Sequence, residues 1–292
     1  MCLIPGERGS GASAILSNWL KKFIRDHPRI VVISHYTESG QRSAEITSFM
    51  RRCTSELRSE YRGLNPIIQL DFLDLTDFDT ITEAFHASLS LGPCVLALDG
   101  LYHLTACQDI AAHVIKQLSW LPINIPPACR VVVSTTRSDI SYKYLSSRSD
   151  VHLINIPSLN SNDKSRVLHE WCGLHASYLN SRDEATILAG KLSGRPVYHA
   201  VLANEIRLHG RAEIGERLLE ACTRARCLSD FWTAVIHTWS QDYSWLKPNT
   251  VKNGVPVKTQ VSKDRFNNGW IPDTLRLLAV SREGKLLYLP SS

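Results

Sequence analysis

Between residues 13 and 25 the apolar side chains Ile15, Leu16, Trp19, Leu20 and Phe23 recur at the spacing of one helical face. The chain then alternates such stretches with short, nearly continuous apolar runs. Residues 30–35, 66–70, 94–100, 129–135 and 151–156 have the β-branched, uninterrupted character of buried strands, and Cys2-Leu3-Ile4 is a short strand at the start. Helical periodicity fills 43–61, 78–89 and 109–118 between them. Alternating elements of this kind predict an α/β fold with a parallel, doubly wound sheet in three layers.

After Pro157 the pattern changes. Residues 161–179, 182–192, 197–208, 214–225 and 228–239 all carry helical periodicity, with no strand between them. Asn160-Ser161-Asn162-Asp163 provides a helix start. Periodicity is lost over 245–268, where turn formers accumulate, and a short apolar helix is predicted at 273–280. The expected organisation is therefore an α/β domain at 1–157, an α-helical domain at 158–243 and an irregular tail at 244–292. No internal repeat is visible.

Composition narrows the classes. With 292 residues, 43% of them hydrophobic and 21% charged, the chain can bury one large core or two smaller ones. A net charge of +5 spread along the chain lacks the dense basic face of a nucleic-acid groove, so no nucleic-acid partner is expected. Eight cysteines stand singly, without a C-x-x-C pair, which suits reduced thiols of a cytoplasmic protein. Eleven histidines show no metal-ligand spacing, and neither G-x-S-x-G nor H-E-x-x-H occurs. No leader is visible, and no apolar run approaches the ~20 residues of a membrane span.

The chemistry concentrates in Gly6-Glu7-Arg8-Gly9-Ser10-Gly11-Ala12-Ser13. This is the phosphate-loop pattern G-x-x-x-x-G-K-[ST] with alanine where lysine belongs. Such a loop converges backbone N–H groups on phosphate oxygens at the positive end of the following helix. Gly6, Arg8, Gly9, Gly11 and Ser13 are the candidate phosphate ligands, the Ser13 hydroxyl is the candidate Mg²⁺ ligand, and Asp99 ends the strongest strand, as the second nucleotide motif requires. Losing the lysine removes a charge-assisted bond of about 1.5–3 kcal/mol, or about ten- to a hundredfold in affinity. The residues leave two readings open, weak binding of ATP or ADP with Mg²⁺ and no binding. Arg8 is a candidate replacement cation. After Asp99 come Tyr102 and His103, and without the lysine the cation positioning that phosphoryl transfer depends on is compromised, so hydrolysis is not expected.

The order of the motifs resembles the NACHT/STAND class of P-loop NTPases, in the AAA+-like division, and most of all the nephrocystin-like group of large tetratricopeptide-repeat proteins. The carrying residues are the loop itself, Val32-Ile33-Ser34-His35-Tyr36, Leu98-Asp99-Gly100-Leu101, Ser134-Thr135-Thr136-Arg137, Gly194-Arg195-Pro196-Val197-Tyr198 and Leu278-Ala279-Val280-Ser281-Arg282-Glu283-Gly284. The resemblance spans about residues 3–243 and 271–284. It implies a nucleotide domain, a helical lid, a winged helix that barely starts near Ile271, and a repeat array beyond. The chain is thus expected to be a piece of a larger protein. The resemblance also gives roles: Asp99 holds Mg²⁺ through water, Arg137 senses the γ-phosphate, Pro196 packs on adenine, and His35 occupies a family position without assigned chemistry. Family members act as nucleotide-controlled switches or scaffolds for protein partners, and ciliary association comes by resemblance alone. The expectation is a degenerate nucleotide-binding platform. A slow ATPase using a substitute cation and a protein-interaction fold without nucleotide are the alternatives.

Overall fold

The structure is a computed structural model that describes residues 1–40, 42–61, 77–106, 111–174, 179–209 and 213–242, together with Ile271, Thr274 and Leu275. The chain divides into two compact units, Met1–Pro157 and Ser158–Ser292.

The first unit is built on five parallel strands, β1 (Cys2–Pro5), β2 (Val31–Tyr36), β3 (Cys94–Asp99), β4 (Cys129–Thr135) and β5 (His152–Leu153), in the order β2-β3-β4-β1-β5. Registers such as Leu3↔Val133, Leu96↔Val131 and Ile33↔Leu96 align alternate side chains on one face. That face, with Leu3, Ile33, Leu96, Leu98, Val131 and Val133, packs on α2 (Ile46–Tyr61), α3 (Phe78–Ser88), α4 (Ala112–Lys116) and α5 (Ile140–Ser146) in one large core. The opposite face presents Ile4, Ala97 and Val132 to Leu16 and Leu20 of α1 (Ala12–Asp26). Helices on both faces of a parallel sheet make this an α/β fold, as the alternating pattern predicts.

Three details differ from the sequence reading. On α1, Leu16 and Leu20 are buried, but Ile15 and Trp19 remain 47% and 38% exposed, because they sit about 100° around the helix from the buried line. The last strand is two residues long rather than six, and its apolar Leu153 and Ile154 are exposed at the sheet edge. A helix that periodicity misses, α5, is started by Asp139, whose carboxylate accepts the Ser141 N–H at 2.9 Å. The strand expected at 66–70 and the irregular stretch at 245–268 lie outside the described residues. So does the helix expected at 273–280, except Thr274 and Leu275, which are helical.

The second unit consists, among its described residues, of helices: α6 (Ser161–Leu174), α7 (Ser181–Ala189), α8 (Pro196–His209), α9 (Glu213–Arg224) and α10 (Leu228–Asp242). Leu168, Ile187, Tyr198, Leu202, Phe231 and Val235 form its core. Asn160 and Asn180 cap α6 and α7 by accepting the N–H groups of Asp163 and Asp183 at 2.8 and 2.7 Å.

Candidate functional site

β1 ends at Pro5, and the next residue begins the glycine loop. The Gly6 N–H donates to the Thr135 carbonyl at the end of β4 (2.9 Å), which ties the loop's root to the neighbouring strand. The loop closes tightly over that root: a Cβ on Gly6 would lie 2.8 Å from Ser10 Oγ and 2.9 Å from Ala12 Cβ. Gly9 has φ 78°. Gly11 is the N-cap of α1 at φ 87° and ψ 16°, a left-handed conformation that favours glycine. Gly11 brings no side chain to cap the first turn of α1, and uncapped amides of a helix's first turn are donors suited to an anion. Ala12 occupies the first helical position and Ser13, exposed, the second.

Asp99 sits at the C-terminal end of β3, and β4 lies between that strand and β1. The residue is 9% exposed. Ser134 Oγ donates to Asp99 Oδ1 at 2.5 Å and accepts the Gly100 N–H at 2.8 Å. Thr37 braces the same corner. Its N–H reaches the Asp99 carbonyl at 3.2 Å, and its Oγ1 lies 3.1 and 2.9 Å from the Asp99 and Gly100 carbonyls. The sequence motifs single out neither Ser134 nor Thr37 as a ligand. The available signal is a serine one residue before the end of a strand adjacent to the aspartate strand.

Gly100, at φ 75°, turns the chain into a single 3-10 turn, Leu101–His103. This turn brings Tyr102 beside Arg8 of the loop and His103 beside Glu38. The Arg8 guanidinium carbon stands 5.8 Å from the centre of the Tyr102 ring. His103 Nε2 is 2.6 Å from Glu38 Oε1. Burial, then the Glu38 carboxylate, push the Tyr102 hydroxyl above the ordinary phenol value; Asp99 acts in the same sense and Arg8 opposes. Lys116 Nζ donates to the Tyr102 carbonyl at 2.6 Å and pairs with Asp139 Oδ2 at 3.1 Å, fixing the turn to the start of α5. Among the described residues no group of three or more His, Cys, Asp or Glu side chains could hold a metal ion.

The structure thus brings Gly6, Arg8, Gly9, Gly11, Ser13 and Asp99 to the C-terminal end of one sheet. Arg137 follows β4 at the same end, but its guanidinium is turned onto Asn155 Oδ1 (2.6 Å) and the Tyr142 hydroxyl (3.2 Å). Pro196 belongs to the second unit, where it opens α8 at a position that suits its missing N–H.

His35 has a structural place. Its Nε2 donates to the Ser43 carbonyl at 2.6 Å, and its Nδ1 accepts from Arg52 at 3.2 Å, so the bonded form is the neutral ring. Burial lowers its pKa from 6.5, with the Ser43 bond opposing and Arg52 reinforcing. In the second unit His199 shifts in the same direction, mainly through burial. The unfolded chain takes up these protons at higher pH than the folded chain. Stability should therefore fall as pH drops below about 6.5, before carboxylates titrate. Urea midpoints at about pH 7.5 and about pH 5.5 check this; the difference should shrink in His35→Gln, and an unchanged difference would contradict the assignment.

The first unit is defined by a parallel α/β sheet carrying a glycine loop, an uncapped helix start and a strand-end aspartate at one end. No family model matches the chain. Its relatives are tetratricopeptide repeat proteins. Tetratricopeptide repeat protein 41 of Mus musculus is 29% identical over 289 residues, covering 97% of this chain and 21% of that protein. The corresponding Homo sapiens protein is 30% identical over 292 residues with the same coverage. A TPR repeat-containing protein of Dictyostelium discoideum is 24% identical over 276 residues, covering 82% of this chain and 16% of that protein. The chain spans about a fifth of the length of the curated relatives it matches. Among solved structures, a Walker-type ATPase of Pyrococcus abyssi aligns with a TM-score of 0.47 and 13% identity, over 82% of this chain and 67% of that one. No helix among the described residues is long and apolar enough to cross a membrane.

Proposed function

We propose that residues 1–157 form a degenerate nucleotide-binding module of the NACHT/STAND kind, acting as a regulatory or scaffolding platform within a tetratricopeptide-repeat protein. The observation that carries this reading is the placement of an uncapped, left-handed glycine entry to α1 and the braced Asp99 carboxylate at the same end of the sheet. These residues fit the anionic half of a nucleotide and its Mg²⁺: backbone donors of the loop for phosphate, Ser13 and Asp99 for the metal. What Mg²⁺ supplies when bound is charge neutralisation between phosphate oxygens. The α-helical unit, with Pro196 at the start of α8, takes the role of the lid. Repeat-bearing relatives support protein partners for the whole chain; such arrays present extended binding surfaces.

Hydrolysis is not part of the reading. After Asp99 the positions that would orient a water hold Tyr102 and His103, and His103 is engaged with Glu38. The test is binding of a fluorescent ATP analogue with Mg²⁺ to the wild type and to Ala12→Lys. Wild type should bind weakly, and Ala12→Lys should tighten binding about ten- to a hundredfold. Two folded proteins that both fail to bind would show that the loop serves only as a strand-to-helix connection.

A further inference from the structure

We propose that Cys94 and Cys129 form a dithiol site that a peroxide oxidises to a reversible disulfide, fastening the start of β3 to the start of β4. The two residues are far apart in the chain, and neither belongs to a C-x-x-C pair. The sheet brings them together. Cys94 opens β3, Cys129 opens β4, and they are register partners across the parallel ladder. The Cys94 N–H donates to the Ala128 carbonyl at 3.2 Å, which fixes that register. Both side chains enter the large core on the same face of the sheet. Neighbouring strands run about 4.8 Å apart, which puts register partners inside the Cα separation of about 4.4–6.8 Å that a disulfide spans. The pair lies at the N-terminal end of the strands, opposite the glycine loop and Asp99, so the site does not depend on the nucleotide reading.

The two thiols divide the chemistry. A thiolate is the nucleophile toward a peroxide, and a second thiol beside it completes the disulfide. Hydrogen bonding from the Cys129 thiol holds the Cys94 pKa down against burial; the same bond, and then burial, push the Cys129 thiol up. Cys94 is therefore the attacking sulfur, and Cys129 keeps its proton until the second step. First, the Cys94 thiolate attacks one peroxide oxygen. The O–O bond breaks, the other oxygen leaves as water with the thiol's proton, and Cys94 becomes a sulfenic acid. Then the Cys129 sulfur attacks the Cys94 sulfur, the S–O bond breaks, and the hydroxyl leaves as water with the Cys129 proton. The two thiols lose two electrons in all, and the peroxide gains them. Cys53 of α2 shares this core, but burial above all pushes its thiol up, which leaves it a protonated bystander. Cys94 and Cys129 are only 2% and 1% exposed, yet each directly follows an exposed residue, Pro93 and Ala128. Local opening of these two turns admits a molecule the size of hydrogen peroxide without unfolding the strands.

The experiment exposes the folded full chain to hydrogen peroxide, blocks the remaining thiols by alkylation and maps the peptides by mass spectrometry without reduction. The expected product is a peptide pair joined through Cys94 and Cys129, lighter by two hydrogens than the separate peptides together and released by dithiothreitol. In Cys129→Ser, whose hydroxyl can still donate to Cys94, dimedone should trap a sulfenic acid at Cys94. In Cys94→Ser no sulfenic acid should form at Cys129. Melting temperature checks that each variant is folded, and the wild-type map decides the central claim by itself. Thiols at both positions that stay reduced after the exposed Cys227 has been oxidised overturn the proposal. A linkage of either residue to Cys53 does the same, as does one that appears only in urea at which the chain is unfolded. A sulfenic acid at Cys129 in Cys94→Ser overturns the order of attack.

Discussion

Phe49→Ala is expected to destabilise the first unit by about 3–5 kcal/mol, the cost of truncating a fully buried phenylalanine. The ring lies at the junction of three elements. It meets Trp120 edge-on with centres 5.7 Å apart, Phe85 at 5.9 Å, and His35 at 4.7 Å. Trp120 is itself held, donating Nε1–H to the Ile115 carbonyl at 3.3 Å while its own carbonyl accepts from His86 at 2.8 Å. Little can move in to fill the space left by Phe49, so the cavity term should be near the top of its range. A domain has about 5–15 kcal/mol in all, and the loss would be visible as earlier hydrogen exchange throughout α2 and α3. A change below about 1 kcal/mol would mean that α2 does not anchor the sheet in the way its packing indicates.

Gly100→Ala should be the second most damaging change, and it acts at the site. A non-glycine residue at φ 75° costs about 1–2 kcal/mol. The added Cβ would also stand 2.5 Å from Thr37 Oγ1, an overlap with a cost of about 1–3 kcal/mol. The sum, about 2–5 kcal/mol, falls on the residue whose N–H shares Ser134 with Asp99. Thermal unfolding of Gly100→Ala in the wild-type and Thr37→Ala backgrounds separates the two causes. The steric share should vanish in Thr37→Ala and the backbone share should persist. Equal losses in both backgrounds would remove Thr37 from the explanation.

How much of this is legible in the sequence depends on range. Buried strands such as 94–99 and 129–135 read clearly because both faces are covered and the apolar run is uninterrupted. The seven-residue α5 offers only Leu145 as its large buried side chain, too little for periodicity to register, and its real signal is the Asp139 cap. β5 reads too long because exposed Leu153 and Ile154 look like core residues in a sequence. The members of the loop and Asp99 are legible as motifs. The contact of Arg8 with Tyr102 is not, since it depends on the strand order that sets two distant loops side by side. The orientation of Arg137 toward Asn155 depends likewise on β1 and β5 lying next to each other.

The position of β1 between β4 and β5 also has a bearing on how the unit comes together. Leu3 pairs with Val133 on one side and Leu153 on the other, so its hydrogen-bonding partners are separated from it by most of the unit's length. Closing so long a loop is entropically costly and is rewarded only when both neighbours are in place. During synthesis the first strand must wait, unpaired, until the roughly 130 residues up to the end of β4 have followed it, a stretch of about 7–26 s at usual elongation speeds, and its second neighbour comes later still. The glycine loop attached to it acquires its shape only at that closing step.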